Sequence, residues 1–202
     1  DPALTELARR KLRSHDPALQ RAAVEILERL PLDDRLLMLL PHLDEPVKSV
    51  RLAVARVLAE GLVRGDLSDA DRQRLSRRAE EYRQSLRRNA DHPASQIALG
   101  NLSLALGDEE AAGNAYRQAL RIDVSYSPAS INLADLYRQR GDEAKAQQIL
   151  LSARQQADDA AISYALSMSY FRQRKLDDGL DAISHAVTLA PMNSDYVYAQ
   201  AV

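Results

Sequence analysis

Between Ile97 and Val187 the apolar, small and polar positions recur three times in nearly the same order. Ile97–Leu120 reads IALGNLSLALGDEEAAGNAYRQAL, Ile131–Leu150 reads INLADLYRQRGDEAKAQQIL, and Tyr164–Val187 reads YALSMSYFRQRKLDDGLDAISHAV. Gly100, Ala134 and Ser167 fall at spacings of 34 and 33, as do Ala119, Ala153 and Ala186, with Ala112, Ala146 and Gly179 between them. Larger residues hold fixed places beside them: Leu99, Leu133 and Leu166 early in each copy, Tyr116, Leu150 and Ile183 late. A period near 34 with small residues at fixed offsets predicts an array of helix–turn–helix pairs. The small residue on the first helix lets the second approach closely, and the larger ones fill what remains.

Gly107–Asp108 and Gly141–Asp142 suit the turn, because glycine accepts a left-handed helix end and aspartate caps the helix that follows. In the third copy Arg174 stands in that glycine's place, and keeping the geometry there costs about 1 kcal/mol. The phase continues backward: Tyr82, Ser85 and Leu86 lie 34 residues before Tyr116, Ala119 and Leu120. A long helix from about Ser68 to Asn89 is therefore expected to end as the second helix of a degenerate repeat. No stretch alternates with period two, and strand-favouring residues are scarce, so the chain is expected to be all-α.

The Leu–small pairs at 99–100, 133–134 and 166–167, Tyr137, Tyr170, the turn glycines, the second-helix alanines and Pro191 together resemble the tetratricopeptide repeat. Gln96 departs from the tryptophan common in that family, and Ser103 from its tyrosine. In residues 1–65, DPALQRAAVEIL (16–27) and EPVKSVRLAVARVL (45–58) share an acid–proline start, with LDDRLLMLLPHL as a short helix between them. That pattern resembles HEAT repeats. The expected organisation is HEAT-like pairs over 1–65, a connecting helix and degenerate repeat over 66–92, and three tetratricopeptide copies over 93–190. A further repeat or capping helix would begin at 191–202. The resemblance implies a right-handed α-solenoid. The same order also resembles the C-terminal half of some bacterial multihaem cytochrome c-like proteins, which implies a periplasmic location, against a cytoplasmic alternative.

Composition narrows the chemistry. The chain has no cysteine, which removes disulfides, zinc thiolates and covalent haem attachment. Residues 1–90 carry 18 Lys/Arg against 15 Asp/Glu, and residues 91–202 carry 9 against 14, so neither part has the charge of a dedicated nucleic-acid binder. No apolar run approaches a membrane span. The chain opens DPALTEL and closes YVYAQAV, so both ends read as cuts, and end-to-end self-association of such a segment is one expected contact. His15, His42, His92 and His185 form no metal signature, and the acidic pairs such as Glu109–Glu110 and Asp177–Asp178 sit where helix dipoles favour them. No phosphate loop and no nucleophile motif is present, so no enzyme activity and no cofactor is expected. The arginine-rich run 72–88 makes a HEAT-type nucleic-acid binder a rival, but Glu80 and Glu81 interleave it and favour a solvated, internally paired face.

Binding by paired-helix solenoids uses the first helices of the pairs. The resemblance projects Ile97, Asn101 and Leu104 into a groove from the first copy. Ile131, Asn132, Asp135 and Arg138 follow from the second, and Tyr164, Met168, Phe171 and Arg172 from the third. Asn101 and Asn132 match asparagines that hold ligand backbone in peptide-binding members of the family. The cations of members that clamp a C-terminal carboxylate are replaced by Ile97, Ala161 and Ala165. Tyr164, Met168 and Phe171 form a second apolar stripe beside the packing face of Leu166, Ser167 and Tyr170. The function expected is a scaffold that binds a peptide or protein segment. The alternative is a docking module of a larger multihaem redox protein.

Overall fold

The computed structural model describes residues 2–201, and helices supply all the regular structure among them. The first helices are α1 (Pro2–Leu12), α2 (Pro17–Leu27), α3 (Leu32–Leu39, continued by a 3-10 turn at Leu40–His42), α4 (Lys48–Leu58), α5 (Gly61–Arg64) and α6 (Asp69–Arg87). Then come α7 (Pro93–Ala105), α8 (Glu109–Ile122), α9 (Ser127–Gln139), α10 (Glu143–Gln156), α11 (Ala160–Arg172), α12 (Leu176–Leu189) and α13 (Ser194–Ala201). Two compact units result: Asp1–Asn89 with Asn101–Asp108, and Ala90–Gly100 with Glu109–Val202.

Local chemistry sets the helix starts. Asp16 precedes Pro17 and accepts from the Ala18 amide, Ser68 accepts from Asp71, and Asp142 accepts from Lys145. Each removes one of the orphan donors of a helix N-terminus. In the first unit Ala8, Leu12, Val24, Leu27, Leu39, Leu43, Val54, Leu58 and Leu75 make one core. The helix α6 contributes little apolar surface, with only Leu75 and Ala79 buried. Ion pairs add to the Leu75 contact. Arg51 reaches Glu81 at 2.7 Å, and Arg74 and Arg78 each meet Asp44 at 2.8 Å.

In the second unit the core gathers Ala134, Ala146, Leu150, Ala153, Ile162, Leu166 and Ala182 from α9 to α12. The small residues have identifiable neighbours. A Cβ on Gly100 would stand 2.3 Å from the Tyr116 ring, and one on Gly179 would stand 2.4 Å from Phe171. At both sites an aromatic ring, rather than helix backbone, occupies the space. The turns carry the left-handed conformation: φ is 78° at Gly107, 81° at Gly141 and 60° at Arg174. Arg174 is the one non-glycine residue with positive φ among those described.

Candidate functional site

The helices α9, α10 and α11 leave a cleft of about 340 Å³ between them. From α9 it takes Ile131, Ala134, Asp135 and Arg138, from α10 Ala146 and Leu150, and from α11 Ala161, Tyr164, Ala165, Met168 and Arg172. Thus Ile131, Asp135, Arg138, Tyr164, Met168 and Arg172 meet in one place. They do so because the residues at offsets of three and four along each first helix share a face.

The cleft's charges are partly spent. Arg138 pairs with Asp135 on its own helix at 2.9 Å. Arg172 donates to Glu143 at 3.0 Å, and the Ser169 hydroxyl donates to the same carboxylate at 2.6 Å. Partial burial opposes ionisation of Glu143, but Arg172 and Ser169 outweigh it and hold the carboxyl below its ordinary range. Both arginine side chains keep about two-fifths of their surface exposed (37% and 44%), so a bound acceptor can still reach them.

Phe171 does not line this cleft. Its ring covers Gly179, so part of its surface serves packing inside its own helix pair. Together with Tyr164, Met168, Leu176, Leu180 and Tyr198 it borders a second, more apolar cleft of about 590 Å³ between α11, α12 and α13. Tyr164 also stacks on Tyr196, with ring centroids 4.9 Å apart. Asn132 stands half-buried on α9 and Asn101 exposed on α7; both are engaged with neighbouring groups. Ile97 and Leu104 on α7 are half-buried and line neither cleft. Gln96 is buried, and its amide donates to the Ala90 carbonyl at 2.7 Å.

The arginines of α6 are largely committed. Besides the Asp44 pairs, Arg78 reaches Glu81 at 2.9 Å, Arg83 reaches Glu80 at 2.8 Å, and Arg72 donates to the Leu62 carbonyl at 2.7 Å. The hydrogen bonds from Arg78 and Arg74 hold Asp44 below the usual carboxylate range, and those from Arg51 and Arg78 do the same for Glu81. Arg77, Arg87 and Arg88 remain exposed without an ion pair among the described residues. No group of three or more potential ligands is placed to hold a metal ion, and no helix is long and apolar enough to cross a membrane, among the described residues.

This is an all-α fold of helix–turn–helix repeats, of the α-solenoid class. The tetratricopeptide repeat profile matches residues 103–168, about a third of the chain. A thermophilic tetratricopeptide-repeat protein of Thermus thermophilus shares the fold at a TM-score of 0.56 and 22% identity, over 92% of this chain and 95% of that one. A crystal structure of MamA aligns over 96% of this chain and 94% of its own, at 12% identity and a TM-score of 0.44. No curated protein matches the sequence. The tetratricopeptide fold suggests a protein-interaction scaffold.

Proposed function

We propose that the chain is a non-enzymatic scaffold that binds a peptide or protein segment in the cleft between α9, α10 and α11. The supporting observation is the convergence of Ile131, Tyr164 and Met168 with Asp135, Arg138 and Arg172 on one concave surface. An apolar floor with a few charged groups is the usual make-up of a recognition site, since burial supplies affinity and the charges fix register. The methionine and tyrosine adapt to different side chains. The HEAT-like reading of residues 1–65 belongs to the same proposal.

An array of synthetic peptides, followed by titration of the best binder, tests the reading. Arg138→Ala should weaken that peptide by about 1–3 kcal/mol, because the ligand's acceptor is left unpaired, and Met168→Ala by about 1–2 kcal/mol, because apolar contact is lost. Denaturant melts should show these variants folded as the parent is. A peptide bound equally well by both variants would place recognition elsewhere.

A further inference from the structure

The second and third copies carry one triplet at the end of their first helices, Arg138–Gln139–Arg140 and Arg172–Gln173–Arg174, 34 residues apart. The first copy has Leu104–Ala105–Leu106 there. The trailing arginines serve the fold. Glu109 makes a forward tie from α8 to Arg140 at 2.9 Å, and Arg174 forms the left-handed turn. The leading arginines both line the cleft between α9, α10 and α11. Arg138 uses only its Nε, on Asp135 at 2.9 Å, while Arg172 uses Nε and Nη2 on Glu143, at 3.4 and 3.0 Å. Three terminal amino groups, Nη1 and Nη2 of Arg138 and Nη1 of Arg172, carry no hydrogen bond among the described residues. The acceptors are nearly all engaged. Glu143 takes Ser169 and Arg172 on Oε1 and Arg172 again on Oε2, and Asp135 takes Arg138 on Oδ1, which leaves Asp135 Oδ2. The formal charges cancel, but donors are in surplus.

These donors stand at one end of the cleft. Ser127, the first residue of α9, donates to Asp159, the cap of α11, at 2.6 Å, so the two helices start side by side. At their far ends both arginines act on Glu143. Burial alone would lift that carboxyl; the Arg172 and Ser169 hydrogen bonds and the charges of Arg172 and Arg138 bring it below its ordinary range. Ile131 and Tyr164 line the cleft toward the helix starts. From Ile131 to Arg138 the helix rises about 10 Å. An extended chain covers that distance in about three residues.

We propose that the segment seated in this cleft carries an Asp or Glu side chain bound between Arg138 and Arg172, about three residues from an apolar side chain held by Ile131 and Tyr164. The inference rests on the peptide reading of the cleft and adds the chemistry of its ligand. A carboxylate has two oxygens with room for several guanidinium N–H groups, and such charge-assisted bonds are the stronger kind. A lysine in the same place would meet one unused oxygen among competing donors. Each arginine is already held by a carboxylate of this chain through its Nε edge. Its orientation is therefore set before the ligand arrives, and less freedom is lost on binding.

A library of short peptides, acetylated at one end and amidated at the other, screened against the full chain reads the preference. Selected peptides should carry Asp or Glu about three residues from an apolar residue. Replacing that acid by its amide in the best binder should weaken it roughly tenfold or more. Arg138→Gln disturbs one exposed pair, so it should fold as the parent does and lose most of that discrimination. Arg138→Glu with Arg172→Glu should turn the selection toward Lys. Peptides selected with no acidic preference, or with a basic one, overturn the inference and leave the peptide reading standing. So does an Arg138→Gln variant that keeps the full discrimination. No peptide selected at all overturns both. A preference found only in a parallel library with free C-termini places the anion at a chain end and overturns the side-chain assignment.

Discussion

The Tyr116 ring lies directly on Gly100, where a single added methyl group would stand 2.3 Å from a ring carbon. Tyr116 is 1% exposed, so the ring has no room to withdraw. Gly100→Ala gains up to about 1 kcal/mol of helix propensity but forces overpacking worth about 1–3 kcal/mol. A net loss of about 1–2 kcal/mol is expected in denaturant melts, and a stabilised variant would show that the ring moves freely.

Burial, reinforced by the charge of Asp135, pushes the Tyr116 hydroxyl up to about 12. The folded state then keeps its proton where the unfolded chain, near 10, has lost it. Stability from this group is present below about pH 10 and falls by about 1.4 kcal/mol per unit as pH rises toward 12. Tyr116→Phe should flatten that part of the alkaline stability curve, read by melts between pH 9 and 12.

Arg174 adopts the left-handed turn that Gly107 and Gly141 adopt in the other copies. Arg174→Gly relieves about 1 kcal/mol of backbone strain, less what glycine loses through unfolded-chain entropy. A gain of about 0.5 kcal/mol in the melt is expected, against a loss of about 1 kcal/mol for Gly141→Ala.

The Ser163 hydroxyl is fully buried on α11 without a hydrogen-bond partner among the described residues. Desolvating it returns nothing, so Ser163→Ala should be neutral or stabilise by up to about 1 kcal/mol. A loss above about 1 kcal/mol would mean that the hydroxyl is satisfied in solution.

Duplex DNA should bind weakly, because Arg74, Arg78 and Arg83 already face carboxylates and Arg72 a backbone carbonyl. Anisotropy titrations should lose what affinity there is between about 50 and 200 mM salt, as backbone-only binding does. Tight binding at the higher salt that vanishes on Arg77→Glu would reverse this.

The repeat period and its turns were legible because they depend on spacing alone. A left-handed turn needs its residue at one register position, which is why Arg174 could be located by counting. Packing partners across the period were less legible. Phe171 read as part of an outward stripe with Tyr164 and Met168, and the three do border one cleft; that the Phe171 ring also lies on Gly179 is a seat that offset along one helix does not reveal. Glu109 read only as an acid favoured by a helix start, and Glu143 was not singled out. Their arginines lie 31 and 29 residues away, an offset just short of the repeat itself, and that near-regularity was the available signal. The resemblance projected Asp135, Arg138 and Arg172 toward one groove, and they line one cleft, but the pairing with Glu143 depends on how adjacent helix pairs tilt, which no periodicity encodes.

The forward ties also govern how residues 109–189 would bear a mechanical load. Each tie crosses one boundary between neighbouring pairs, Glu109 to Arg140 and then Glu143 to Ser169 and Arg172. Tension applied along this stretch meets them in series, not side by side as in a sheet sheared along its strands. The weakest boundary yields first while the others hold, so the stretch lengthens in steps of one hairpin at low force. Such a stretch should give way one boundary at a time, because each repeat contacts only its neighbours.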